Sequence, residues 1–483
     1  MLLFSDQHNA GTLGCEGHPD VRTPHLDALA ASGTRFERAY CQDAICLPSR
    51  CSMFSGLYPR TLGCLTNGDR TPVMDEVVSM QETFRQNGYT TAAFGKRHLM
   101  AGCDAGWDTA ASHMHSESPH DNYVKWIEER GLAAEFAHDW AAELGRGPKG
   151  GSYAQVEIPF AVMGTRKSQL PEDATMEAFS GQRTAEYLKE RAADGQPFFC
   201  FSSFYRPHQP YTPLPSYWAR FECNRWGTGR NNDDAIAMPP SLRQDPAELP
   251  PMLQGLFEGR NRVWRTDLAR EDEQLYRDYV SAYYALVEEV DDHTGVIMNV
   301  LEETGLRENT IVVYATDHGD FVGRHGMIEK CAPGHNVYEE TLRVPLIVSW
   351  PAHLQTRVVC DGLAELVDIY PTLLGLCELC KPELVQPLQG QSLADTLRDG
   401  TPIDREFTVS ENWSQATIVT RDHKLGIWCE PPEGKGPDCR AFGDMLFDRT
   451  QDPDEIDNRS DDPVLADIKA DLRSKLEAWR ATE

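Results

Sequence analysis

The stretch Cys46-Leu47-Pro48-Ser49-Arg50 sets a thiol, a proline and a guanidinium within one turn of chain. Pro48 suits the first turn of a helix, where a missing N–H is no loss. The helix itself is expected over residues 49–57. A helix N-terminus offers backbone N–H groups and the positive end of its dipole to an anion. Arg50 adds a fixed, forked positive charge. Other reactive groups stand directly after apolar runs: Asp6-Gln7 after residues 1–5, Lys96 and His98 after 89–94, His208 after 197–204, and Asp317-His318 after 310–315. In an open α/β sheet, ligands bind just beyond the carboxyl ends of the strands. Carboxylates, imidazoles and lysines converging there make a charged site able to hold an anion and move protons.

The elements that must position these groups read as follows. Residues 1–5, 34–40, 89–94, 197–204 and 310–315 are strand candidates, several of them apolar throughout, as strands buried on both faces are. Residues 24–32 form a helix with Thr23 as N-cap and Pro24 at its first position, ending at Gly33. Further helices are expected over 77–87, 182–193, 273–304 and 366–376. In the longest, Tyr283, Leu286, Val287 and Val290 recur at helical spacing and read as a core stripe. After about Asp399 the pattern shifts to short β-like pieces, 407–410, 414–420 and 423–428, closed by an amphipathic helix over 463–479. The expected architecture is α/β: a large mixed sheet sandwiched by helices over residues 1–399, and a small antiparallel α+β subdomain over 400–483. Residues 101–180 and 211–265 look like long insertions, where substrate choice resides. His113, His115, His120 and His138 fit no ligand spacing and are read as surface or substrate-rim residues.

The chain has 483 residues, 40% hydrophobic and 25% charged, the composition of a soluble globular protein of one large domain and a smaller one. Its formal charge of −29 argues against nucleic acid as a partner, since phosphate contacts need a basic face. An anionic substrate needs a local reversal of that charge. No apolar run reaches the roughly 20 residues of a membrane span, and residues 1–7 lack the basic start of a leader, so a cytoplasmic location is expected unless a leader has been removed. The 14 cysteines are expected to be mostly reduced. Cys377 and Cys380 lack a second ligand pair, and Cys41, Cys46 and Cys51, five apart, suit no zinc knuckle.

The Cys46–Arg50 stretch resembles the C-x-P-S-R signature of the sulfatases, within the alkaline phosphatase-like superfamily. The flanks TPHLDALAASGTRFERAY and SMFSGLYPR resemble that family's surroundings. Gly95-Lys96-Arg97-His98 is similar to its GKWH segment with Arg97 for Trp, and Pro207-His208-Gln209-Pro210 to its P-H-x-P segment. Gly326–Lys330 and residues 339–351, 366–376 and 444–455 also resemble family segments, in the expected order. The resemblance implies that Cys46 is oxidised to Cα-formylglycine by a maturation enzyme. Its hydrate would then attack a sulfate ester, of a small molecule or a glycan, beside one divalent cation held by Asp6, Gln7, Asp317, His318 and residue 46. Carboxylates with an amide oxygen suit Ca²⁺, whereas an imidazole moves the preference toward Mn²⁺, so both ions stay open. By the same resemblance Lys96, Lys330 and Arg50 stabilise the transferring group, and His208 with Lys330 assists the leaving alcohol. His98 is implied as the base that expels sulfate, and Asn67 is a candidate substrate contact. Phosphonate monoester or phosphodiester hydrolysis at the same site is the alternative. An unmodified phosphotransferase and a silent anion-binding scaffold are more remote. The alcohol part of the substrate and any homo-oligomer are left open.

Overall fold

The computed structural model describes residues 1–69, 77–113, 122–140, 165–221, 236–245, 254, 273–330, 336–380, 387–431 and 438–482. Among the described residues, twelve strands form two sheets. The large sheet contains β1 (Leu2–Asp6), β2 (Thr34–Tyr40), β3 (Thr90–Gly95), β4 (Thr109–Ala111), β5 (Phe198–Pro207), β6 (Val312–Thr316), β7 (Leu346–Ser349) and β8 (Val358–Glu365). Their spatial order is β4-β3-β5-β1-β6-β7-β2-β8. β7 runs antiparallel to both its neighbours, and the other pairs are parallel. β1 therefore lies at the centre, with Leu2 opposite Phe201 of β5 on one side and Val313 of β6 on the other.

Every residue of β1 and β6 is buried, which explains their unbroken apolar run. Successive residues point to opposite faces, so each face carries its own core. Leu2, Phe4 and Val313 join one apolar cluster, with Met53 and Phe54 of α2 (Cys46–Ser55) and Leu373 of α5 (Ile369–Leu376). Leu3, Val312 and Tyr314 join another, with Leu26 and Leu29 of α1 (Pro24–Ala31), Phe179 and Leu188 of α3 (Met176–Asp194), and Val290 and Ile297 of α4 (Glu273–Glu303). The mixed sheet is thus sandwiched by helices, as expected.

The second sheet, in the order β12-β11-β10-β9, is antiparallel: β9 (Thr408–Glu411), β10 (Gln415–Val419), β11 (His423–Trp428) and β12 (Met445–Asp448). Leu472 and Leu476 of α6 (Ala466–Thr482) cover one of its faces. A buried charge network ties it to the large sheet. Lys424 of β11 donates to Glu339 at 2.7 Å and pairs with Glu455 at 2.5 Å. Arg449 reaches the same Glu339 at 2.8 Å and the Tyr40 hydroxyl of β2 at 2.7 Å.

Several elements differ from the reading of the chain. The helix after the cysteine loop starts at Cys46 itself, with Ile45 as N-cap. Pro48 then occupies the third helical position, where no N–H is needed. α3 starts at Met176 rather than residue 182, because the Thr175 side chain caps it by accepting from Ala178 N. Thr23 does not cap α1 with its side chain; its hydroxyl accepts from Gly14 N and donates to Asp27. The capping acceptor is Asp291 of α4. His113 is no rim residue: it is 1% exposed and lies 2.9 Å from Ser180 Oγ. His138 is half-buried beside Asp139, and His115 and His120 lie outside the described residues. The twelve cysteines described all carry free thiols.

Candidate active site

The carboxyl ends of β1, β3, β5 and β6, with the start of α2, bring most of the reactive groups named from the sequence to one place. Cys46 Sγ lies 3.2 Å from His318 Nε2 and 3.8 Å from Asp6 Oδ1. One ligand atom each of Asp6, Cys46, Asp317 and His318 lies within 4.8 Å of the others, and all four residues are buried. His318 Nδ1 is 2.9 Å from the Gly319 carbonyl. In the neutral ring the proton sits on Nδ1 and is donated there, which would leave the Nε2 lone pair for a cation at the cluster.

Arg50 is fully buried between the two carboxylates. Its Nε donates to Asp317 Oδ2 at 2.7 Å and its Nη2 to Asp6 Oδ2 at 2.9 Å. Nη1 donates to the Lys96 carbonyl at 2.8 Å and to Ser203 Oγ at 3.2 Å, and the guanidinium lies over the Phe4 ring. Both Oδ1 atoms are therefore turned toward Cys46 and His318. Lys96 Nζ also donates to Asp6 Oδ2. Ser49 Oγ donates to the Asp317 carbonyl at 2.5 Å, locking β6 to α2.

Gln7 takes a left-handed backbone conformation, φ 67°, which an L-residue adopts only when its surroundings enforce it. Its N–H donates to Asp317 Oδ1 at 3.0 Å, and its carbonyl accepts from Tyr283 Oη at 2.6 Å. The side-chain amide is oriented as well. Nε2 donates to Asp320 Oδ2 at 2.7 Å, so Oε1 is the end that meets Lys330 Nζ, also at 2.7 Å. Asp320 in turn accepts from Tyr279 Oη and from Val322 N. His208 Nδ1 lies 2.8 Å from the Gln209 carbonyl, and its Nε2 faces Asp6 Oδ1 at 4.0 Å. His98 follows β3 in a left-handed conformation, φ 49°, half-buried.

The electrostatics favour negative charge at residue 46. Burial pushes the Cys46 thiol up, but Lys330, Lys96 and His318 together hold it well below its usual range. Burial and Cys46 push Asp6 up as well, and Lys96, His208 and Arg50 overturn that and keep it ionised. A strongly acidic chain thus contains the cationic interior that an anionic substrate requires.

The donor set fits a divalent cation. Two carboxylates and one imidazole with its other nitrogen already bonded are hard and borderline ligands in one buried cluster with Cys46, and Gln7 stands beside them with its Oε1 held by Lys330.

One expectation changes. The N-terminus of α2 has little amide to offer: Leu47 N–H is taken by Asn67 Oδ1 at 3.0 Å, Pro48 has none, and Ser49 N–H bonds Ile45 O. Side chains, not helix amides, therefore supply most of the donors for an anion, and Asn67 caps this helix. Three contributors went unassigned in the sequence. Asp320 stands two residues beyond His318 and orients Gln7. Tyr283 sits on the stripe of α4 read as plain core and Tyr279 one turn before it, yet their hydroxyls reach Gln7 and Asp320. Their only signal was the concentration of phenols, rather than aliphatic residues, on that face.

The sheet, parallel at its centre with a charge-reversed cluster beyond its central strands, fits the alkaline phosphatase-like superfamily to which the family model points. The family model described as Sulfatase matches residues 1–379, and the chain belongs to the sulfatase family, enzymes that hydrolyse sulfate esters. It is 27% identical to the ulvan-active sulfatase of Formosa agariphila over 99% of this chain and 80% of that one. Among solved structures it superposes on the phosphonate monoester hydrolase of Agrobacterium radiobacter with a TM-score of 0.78 at 21% identity, covering 100% of this chain and 95% of that one. BT4656 in complex with its substrate D-glucosamine-2-N,6-O-disulfate gives a TM-score of 0.71 at 21% identity, with 100% and 97% covered. Among the described residues no helix is long and apolar enough to cross a membrane.

Proposed function

We propose that Cys46, oxidised to Cα-formylglycine by a maturation enzyme, is the nucleophile that cleaves a sulfate ester into an alcohol and inorganic sulfate. One divalent cation, Ca²⁺ or Mn²⁺, would be held by Asp6, Gln7, Asp317, His318 and the oxidised residue 46. The observation that carries this reading is the buried convergence of Cys46 with Asp6, Asp317 and His318, the two carboxylates braced by Arg50, inside a chain of formal charge −29. The cation, when bound, supplies Lewis-acid stabilisation of negative oxygen at the cluster.

The hydrated aldehyde carries two hydroxyls on one carbon. One gives up its proton to solvent as it attacks sulfur, and the S–O bond to the alcohol breaks with its electron pair. Lys96 and Lys330 hold the sulfuryl oxygens as charge shifts onto them. Arg50 acts by fixing Asp6 and Asp317. Because Gln209 O occupies His208 Nδ1, the proton handed to the leaving alkoxide is at Nε2, and Lys330 assists. His98 takes the proton of the second hydroxyl, the bond from carbon to sulfate oxygen breaks, and the aldehyde returns as sulfate leaves. A plain serine or cysteine ester lacks that elimination route.

Fragment-ion mass spectrometry of the peptide containing Cys41 and Cys46, from protein made beside an active maturation enzyme, should find the aldehyde at residue 46 alone. Sulfate release from an aryl sulfate should disappear in C46A. An intact thiol in active protein overturns the scheme. The Asp-Gln and Asp-His ligand pairs also resemble the phosphonate monoester and phosphodiester hydrolase branch. Turnover of phenyl phosphonate esters ahead of aryl sulfates by kcat/KM would favour that second reading.

A further inference from the structure

A second constellation of ligands lies between α1 and α4. His25, Asp291 and Asp292 each bring one ligand atom to within 4.8 Å of the others. Asp291 and Asp292 are successive residues of α4, and Gly295 lies one turn beyond Asp291. A Cβ at Gly295 would fall 2.5 Å from His25 Nε2 and 2.6 Å from the two adjoining ring carbons. The imidazole thus occupies the volume a side chain would fill, with its tip against α4.

Both carboxylates retain acceptor capacity. Asp291 is 0% exposed and accepts His25 N–H at 3.1 Å on one oxygen and Leu26 N–H at 2.7 Å on the other. Each carboxylate oxygen has a further lone pair. Asp292 is exposed and accepts from Tyr217 Oη at 2.6 Å through Oδ2, which leaves Oδ1. Among the described residues neither carboxylate is paired with a lysine or arginine. A buried carboxylate held by two amides, with no cation beside it, is costly to ionise. A bound cation would reverse that cost.

We propose that His25, Asp291 and Asp292 bind a divalent transition ion of the Zn²⁺ kind, which fastens the first turn of α1 to α4. One imidazole and two carboxylates, open on the Asp292 side to water, are a borderline donor set of that type. The ion would close a loop of more than 260 residues of chain, the kind of link whose loss is felt in stability rather than in chemistry.

Zn²⁺ alone is the probe. Equilibrium dialysis of the full chain against micromolar Zn²⁺, read by elemental analysis, should leave one equivalent fewer on H25A than on wild type, with D292N weakened at least tenfold. G295A keeps all three ligands but puts a methyl group where the ring sits, and it should lose the same equivalent even if H25A misfolds. Zn²⁺ should raise the melting temperature of wild type by more than it raises that of H25A or G295A, and sulfate release by metal-replete H25A should match wild type. Equal Zn²⁺ content and equal thermal shifts in wild type, H25A and G295A would overturn the proposal.

Discussion

Replacing Arg50 by lysine tests whether the guanidinium fork, rather than its charge alone, holds the active site together. Arg50 makes charge-assisted bonds to Asp317 at 2.7 Å and Asp6 at 2.9 Å, and bonds to the Lys96 carbonyl and Ser203 hydroxyl at 2.8 and 3.2 Å. All are buried. A lysine keeps the charge but presents it as a point, and from this position it reaches one carboxylate. One charge-assisted bond is worth about 1.5–3 kcal/mol and each of the other two about 0.5–1.5 kcal/mol, so R50K should destabilise by about 2.5–6 kcal/mol. The upper end is comparable with the whole stability of an ordinary domain. The assay is the urea midpoint of the tryptophan-fluorescence transition in EDTA, so that no cation substitutes for the lost fork. Sulfate release at saturating metal is the companion readout and should fall with it, since Asp6 and Asp317 lose their common brace. An R50K protein within 1 kcal/mol of wild type, with wild-type turnover, would refute the reasoning.

Other expectations follow from the same geometry. D320A removes the acceptor that orients the Gln7 amide, and the metal concentration for half-maximal sulfate release should rise about 10–100-fold. Glu289 is pushed up to about 8, first by burial and then by Glu177. Between its ordinary value of 4.5 and 8 the folded chain holds a proton that the unfolded chain has released, so stability falls as pH rises through that window. E289Q should be about as stable as wild type at pH 5 and more stable at pH 9 in paired urea titrations; an identical pH profile would count against the assignment. K424M leaves Glu339 and Glu455 short of a buried cation, and should lower stability by about 3–5 kcal/mol in the same assay.

The groups expected to do chemistry were legible because each stands directly after an apolar strand. Asp6 after Leu2–Phe4, and Asp317 after Val312–Ala315, announce both a buried strand and the end of it where sites form. What was not legible depends on pairings across the chain. Thr23 has the right residue type and place for an N-cap, but Asp291, 266 residues away from His25, supplies the acceptor. Tyr279 and Tyr283 obey helical spacing as well as any core residue would. Only the seating of α4 against β1 and β6 turns their hydroxyls to Gln7 and Asp320. His113 was misplaced because polar residues around it read as loop, whereas Phe179, Tyr123 and Tyr205 enclose it.

The central place of β1 has a consequence in time. β1 pairs with β5 and β6, so the sheet cannot close around the site until the chain has been made through Thr316. Cys46 is 2% exposed once it has closed, and an enzyme that oxidises it must act earlier. Residues 46 and 317 are 271 apart, and at about 5–20 residues per second a ribosome takes roughly 14–54 s to cover that distance. The order of strands thus sets a clock. On the proposed reading, residue 46 stays open to a maturation enzyme for that interval, and the fold that would use the aldehyde is also what would end the opportunity to make it.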